Sequence, residues 1–368
     1  MSETVPAWGR SESEQQPQRK SSWAYTLAVV VLLVVGATGY FLYVESQNPP
    51  PPPVDELAGL REYLAHLSGH QKLADGYVDT DPQDLVADTP KDPAKWVTVN
   101  GALMFSVVAT DDPVLAAEQW RPLMAALGAA TGKNVKYADD VRTVEDQLAA
   151  VRDGRLHVTA FNTGAVPGAV NTAGFVPLFA PADARGRFGY EMEILVRADS
   201  PIKTPADLKG KTVGFVALSS NSGAKAPLVA LKDEFRLLPG RDYRYAMTGD
   251  HVRSVKELVA GRHDAVCVAN DLVRRAEAAG EVDKTRYRSI YTSRSFPPLC
   301  FGVPHQLAPD LRAKVTAAFA AFKFDPATPV GKRYTVQGKT GFAPVNYEKD
   351  WEFVRKIDEA LSHLLDAK

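Results

Sequence analysis

The chain has little cysteine: two residues, Cys267 and Cys300, in 368. Two thiols do not make the disulfide framework of a small secreted scaffold, and their spacing matches no metal-ligand pattern. Both lie in apolar runs, which predicts buried thiols. Neither charge is in excess. Lys and Arg number 43 against 44 Asp and Glu, a formal net charge of -1, so nothing asks for nucleic acid as a partner. There is no P-loop lysine and no nucleophile and base at a recognisable spacing. His66 and His70 have helical spacing but no third ligand nearby, which argues against zinc. The sequence therefore predicts no catalytic residue, no metal and no cofactor. No internal repeat is evident.

One long apolar run is present. Trp23 to Tyr43 carries no charge, and its length matches the ~20 residues of a membrane-spanning helix. The tail before it, residues 1–22, is rich in Ser, Gln and Glu and predicts a disordered segment. Arg19 and Lys20 precede the run and no base follows closely, which puts the tail in the cytoplasm. No A-x-A site and no cysteine follow the run, against a cleaved signal peptide or a lipid-modified terminus. The expectation is a single-pass anchor over 23–43 in the inner (cytoplasmic) membrane, with the globular part extracytoplasmic.

Residues 44–102 read as a linker and an acidic juxtamembrane segment. Pro49 to Pro53 predicts a polyproline II spacer. Leu57, Leu60, Leu64 and Leu67 fall at helical spacing and predict a short amphipathic helix. Asp79 to Asp88 clusters carboxylates as calcium loops do, but it lacks the glycine and closing glutamate of an EF-hand. A solvated acidic loop is the reading retained.

From Leu103 onward short apolar strands alternate with helices. Strands are predicted at Leu103–Ala109, Val135–Ala138, His157–Phe161, Phe188–Arg197, Thr212–Ala217, Tyr243–Met247, Asp264–Ala269, Tyr287–Tyr291 and Leu299–Val303. This is the pattern of an α/β fold with mostly parallel sheets, whose ligands bind beyond the C-terminal ends of strands. The loops containing Thr110, Asp111, Asn162 and Thr163 lie at such ends. His157 reads as a structural histidine and Lys225 as a surface residue. The stretch Ser219-Ser220-Asn221-Ser222-Gly223 follows the Thr212 strand and opens a helix expected near Ser222. A helix N-terminus has unpaired N–H groups and attracts anions. Ser220, Asn221 and Ser222 add side-chain donors, and Gly223 lets a ligand approach the backbone. The same residues also cap helices, and from this stretch alone both readings stand.

Several segments fall in a recognisable order. They are Gln119-Trp120-Arg121-Pro122-Leu123, then Gly189-Tyr190, then Pro205-Ala206-Asp207-Leu208-Lys209-Gly210-Lys211. After these come Ser220-Asn221-Ser222-Gly223 with Pro227, Gly249 and His251 with Asp264, and Phe296-Pro297-Pro298. Through them the chain resembles the phosphonate-binding proteins of ABC importers, within the type 2 periplasmic binding-protein superfamily. The resemblance implies two α/β lobes joined by a hinge, one of residues 103–198 and 296–368 and the other of 199–295. It implies Ser220, Asn221 and Ser222 as oxyanion donors, Tyr190 as a ligand tyrosine from a strand, and His251 and Asp264 as cleft residues. Asn221 stands where the family has threonine, and its amide still donates. The expected function is capture of a small oxyanion (phosphonate, phosphite or phosphate) for an importer permease. A tethered sensor of the same fold and a hydrolase are the alternatives.

Overall fold

The computed structural model describes residues 23–47, 57–68, 72–81, 83–107 and 113–365. The expected tail 1–22, the proline run Pro49–Pro53 and the site candidates Thr110 and Asp111 lie outside them. The chain divides into two compact units, Met1–Asp55 and Glu56–Lys368.

In the first unit one helix spans Trp23–Gln47. Its apolar side chains, Leu27 and Val29 to Val35, are exposed. Among the described residues no helix is long and apolar enough to cross a membrane.

The second unit holds two sheets. The strands are β1 (Ala102–Val107), β2 (Asn134–Tyr137), β3 (Val158–Phe161), β4 (Phe175–Ala182), β5 (Met192–Arg197), β6 (Thr212–Phe215), β7 (Arg244–Met247), β8 (Ala265–Ala269), β9 (Tyr287–Thr292), β10 (Cys300–Pro304) and β11 (Gly341–Pro344). The first sheet has the order β11-β4-β10-β3-β1-β2 and the second β7-β6-β8-β5-β9. Within each, three strands are parallel: β1 with β2 and β3, and β6 with β7 and β8. The remaining pairings are antiparallel. The sheets are therefore mixed, which corrects the expectation of mostly parallel ones. The cause is the chain path. β10 and β5 each enter a sheet directly from the other sheet, starting at the end where the βαβ strands finish, so they must run the opposite way.

That path also moves the boundary. β5 falls within the residues expected in the first lobe, yet it pairs with β8 and β9 of the second sheet, Ile194 facing Cys267 and Tyr291. The chain therefore crosses between sheets at 183–191 and again at 293–299. The two crossings touch through a reciprocal backbone pair: Tyr190 N–H donates to Phe296 O at 3.0 Å and Phe296 N–H to Tyr190 O at 2.8 Å.

β4 was not expected, because Pro177 and Pro181 interrupt its apolar pattern and proline cannot donate to a ladder. It nevertheless packs between β10 and β11, and its register with β10 slips between Phe301 and Gly302. Phe105, Trp120, Phe301 and Phe319 fill the core beside it, with Trp120 edge-on to Phe301 at 5.1 Å. The leucine spacing does give a helix at Ala58–Ser68, and Leu60, Leu64 and Leu67 are buried. That burial makes the juxtamembrane helix part of the second unit.

Candidate functional site

The C-terminal ends of β3, β6 and β8 face one another across the line between the sheets. After β6 the chain makes a turn at Ser220 and a single wide turn over Asn221–Lys225 before the helix Ala226–Asp233. Ala226 N–H reaches back five residues to Asn221 O, a π-type turn of the kind that recurs at functional sites. The regular helix thus begins later than expected. Ser220 caps it, its Oγ accepting Gly223 N–H at 3.0 Å. Gly223 packs against β6's end rather than facing a ligand: a Cβ there would meet Val216 Cβ at 2.5 Å. So the cap reading holds for Ser220 and Gly223, while Asn221 and Ser222 are buried at the same turn.

After β3, Asn162 Oδ1 accepts Ala165 N–H at 2.9 Å and shapes the turn. Thr163 is fixed on two sides. Its hydroxyl donates to Pro297 O at 2.8 Å, and its carbonyl accepts Trp351 Nε1–H at 3.1 Å. Gly164 abuts the facing loop so closely that a Cβ would lie 2.5 Å from Ser219 O and 2.8 Å from Asn221 N. The two loops are therefore in contact.

Tyr190, on the first crossing, closes the group. It is 8% exposed, and Asn221 Nδ2 approaches its hydroxyl at 3.4 Å, long for a hydrogen bond. Burial raises the phenol above its ordinary value, and the neighbouring Thr163, Asn221 and Ser222 side chains oppose that rise. Asn221 Oδ1 is buried without a hydrogen-bond partner. Thr163, Tyr190, Asn221 and Ser222 therefore form one buried polar cluster, with hydroxyl and amide groups drawn from both sides of the cleft. The Thr163 hydroxyl proton is already given to Pro297 O, so Tyr190, Asn221 and Ser222 are the members that can donate to one small oxyanion in a low-dielectric site.

The other expected residues divide. His251 begins the helix His251–Val259 on the cleft side, and its Nδ1 accepts Ala269 N–H at 3.0 Å. Burial lowers the imidazole to about 4. It is neutral near pH 7, and the proton on Nε2 is the one it can offer. Asp264 is a correction. It precedes β8, at the end of the sheet away from the cleft, where its exposed carboxylate accepts Thr212 N–H at 2.9 Å. The resemblance implies Asp264 as a cleft residue, but strand direction puts it at the opposite end. His157 is structural as read: its Nδ1 accepts Met104 N–H at 2.8 Å. The carboxylates of Asp81, Asp84 and Asp88 cap their own loop, Asp88 taking both Thr80 N–H and the Thr80 hydroxyl.

Lys225 is not on the surface. It is 2% exposed, and its Nζ donates to Gly164 O at 2.7 Å and to Asp358 Oδ1 at 2.8 Å. Sequence reading also missed Glu191, Asn270 and Asp271. Asn270 Nδ2 donates to Glu191 Oε2 at 2.5 Å, and Asn270 Oδ1 accepts Glu191 N–H at 3.0 Å. Asn270 and Asp271 directly follow β8, so the rule that singled out Asn162 would have found them.

Comparisons with known proteins bear on the family and the fold. Residues 105–351 match the family described as ABC transporter, phosphonate, periplasmic substrate-binding protein. Among solved structures, a binding protein component of an ABC phosphonate transporter from Pseudomonas aeruginosa is similar at TM-score 0.59 and 17% identity, covering 71% of this chain and 89% of that one. A Prochlorococcus marinus protein in complex with methylphosphonate is similar at TM-score 0.57 and 12% identity, covering 71% and 98%. A Xanthomonas citri protein bound to chloride ion reaches TM-score 0.59 at 19% identity, covering 73% and 100%. At these identities the solved structures speak for the two-lobed fold.

Proposed function

Because the chain belongs to the periplasmic substrate-binding proteins of phosphonate ABC transporters, a family of binding proteins and not of enzymes, we propose that it holds the phosphorus oxyanion among Thr163, Tyr190, Asn221 and Ser222. His251 stands by as a further donor. The observation that carries this is the meeting of Thr163, from the β3 loop, with Asn221 and Ser222, from the β6 loop, at the Tyr190 hydroxyl. One lobe consists of residues 102–182 and 300–365, the other of 192–292, and the Tyr190–Phe296 backbone pair is the hinge about which they close. The globular part is extracytoplasmic, as in the family, and the family implies a small-molecule ligand and a permease. We propose further that Trp23–Tyr43 anchors it in the inner membrane. The uncharged sequence and the exposed valines and leucines of that helix support an apolar surrounding.

The test is thermal unfolding of the full chain in detergent with methylphosphonate, phosphite, phosphate and sulfate. A ligand that binds only the folded state raises the midpoint by mass action. A shift with one phosphorus oxyanion, reduced by Asn221→Ala and by Ser222→Ala, supports the reading. No shift with any of them removes it.

One observation favours a tethered sensor as second reading. Helix Ala58–Ser68 touches both lobes. Leu57 at its start lies against Gly240, and Tyr63 sits beside Lys225, whose Nζ is 5.9 Å from its ring centroid. The helix packs on the C-terminal helix Glu352–Ser362. Lobe movement would then be felt where the linker begins. Affinity capture of the full chain from membranes, with and without ligand, separates the readings: recovery of a permease supports transport, and recovery of a signalling protein supports the sensor.

A further inference from the structure

A cavity of about 590 Å³ adjoins the oxyanion site. Tyr190 is common to both, since its hydroxyl approaches Asn221 and the residue also lines the cavity. Two of the acidic groups in the wall are already engaged. Asp183 holds Arg187 at 2.8 Å, and Glu191 accepts the Asn270 amide. The remaining charged groups are Arg274 and Arg275 on helix Asn270–Ala278, Lys339, and the single carboxyl of Asp271. Burial raises the Asp271 carboxyl, which weakens it as a partner for three cations. Lys339 donates to Arg187 O at a long 3.5 Å and feels the Asp183 and Asp271 carboxylates.

The cations come from both lobes. Arg333, on helix Pro329–Thr335 of the first lobe, lies near enough to Arg275 for its charge to oppose that guanidinium, which burial already disfavours. Arg333 Nη1 donates to Gln119 Oε1 at 3.1 Å, while its Nε is buried with no hydrogen-bond partner. In the arrangement described, the charge of Arg333 acts against that of Arg275, with Asp271 and Glu281 acting the other way. An anion received between the lobes changes the sign of that interaction. The same walls are joined by Gln337 Nε2, which donates across to Asp271 O at 3.0 Å.

Resting on the proposed oxyanion site, we propose that this cavity is the tail subsite of the same ligand and takes a second acidic group. The ligand class is then a phosphonate or phosphate ester that carries a carboxylate or a further phosphate, with Arg275 as its chief partner. A methyl group or a lone ammonium at that end would leave the cations unanswered.

Calorimetric titration of the full chain with methylphosphonate, ethylphosphonate, phosphonoacetate and 2-aminoethylphosphonate tests this. Phosphonoacetate should bind about 10-fold or more tighter than ethylphosphonate, the scale of one charge-assisted hydrogen bond. Arg275→Gln, and separately Arg333→Gln, should bring that ratio toward one, with unliganded melting recorded to show that each variant folds. Equal affinity for the two, an unchanged ratio in both variants, or preference for the aminoethyl compound would overturn the tail subsite. In those cases methylphosphonate still binds and the oxyanion site stands. If none of the four binds, both fall together.

Discussion

Lys225 and Asp358 form an ion pair of 2.8 Å, with both side chains almost wholly removed from solvent. Lys225 lies three residues after Ser222, and Asp358 is on the C-terminal helix. Burial alone pulls the ammonium down, but the Asp358 carboxylate and Tyr63 outweigh it and hold Lys225 charged. The C-terminal helix packs on the wide turn Asn221–Lys225 and on the helix Ala226–Asp233, and the pair fastens that packing from inside.

Removing one partner leaves the other as an uncompensated buried charge. Lys225→Met or Asp358→Asn should each cost about 3–5 kcal/mol of unfolding free energy, read from denaturant midpoints. Lys225→Met combined with Asp358→Leu should recover part of that loss, because no charge is then left behind. If the double variant is as unstable as the sum of the singles, the pair is not coupled in this way.

The oxyanion loop should separate capping from binding. Ser220→Ala should lower thermal stability by ~1 kcal/mol, as a lost cap does. Asn221→Thr keeps a donor and should retain methylphosphonate binding, whereas Asn221→Asp places a carboxylate against the anion and should weaken it about 10-fold or more. Dissociation constants and unliganded melting points, measured on the same variants, distinguish the two roles.

Gly164 permits the loops to touch. Gly164→Ala would put a methyl carbon within 3 Å of Ser219 O and Asn221 N, so the lobes should no longer close fully. The expected result is a weaker ligand affinity together with a smaller ligand-induced decrease in radius of gyration by X-ray scattering. An unchanged decrease would mean that closure does not pass through this contact.

His157 sets a pH dependence. Burial lowers it to about 4, from 6.5 for a free imidazole. The unfolded chain therefore binds its proton at a higher pH than the folded one does. The stability this gives is fully present above about pH 6.5 and is lost as pH falls toward 4. His157→Asn keeps an acceptor for Met104 N–H and removes the titration. Its melting point should fall less between pH 7 and pH 5 than that of the parent chain.

Much of the fold was legible because its signals are local. Most strand positions, the helix at Ala58–Ser68 and the turn at Ser220 follow from apolar spacing and from small polar residues at the end of a strand. The match over residues 105–351 places the chain in the family that those segments suggested. Asn221 and Ser222 are legible as candidates because a strand-turn-helix junction displays its donors in sequence. Tyr190 and Thr163 came from the resemblance and from topology, and they meet only in space.

The order of residues settles the short-range choices: where strands start, which face of a helix is apolar, and which turn can present N–H and hydroxyl groups. Strand direction and partnership come from the three-dimensional path of the chain. These depend on where the chain crosses between the sheets, and no local pattern records that. Strand direction carried Asp264 away from the cleft and brought Asn270 and Asp271 to it. Partnership turned Lys225 from an expected surface residue into a buried one, because its counter-charge lies 133 positions along the chain. A charged side chain enters an apolar interior only when such a partner meets it there.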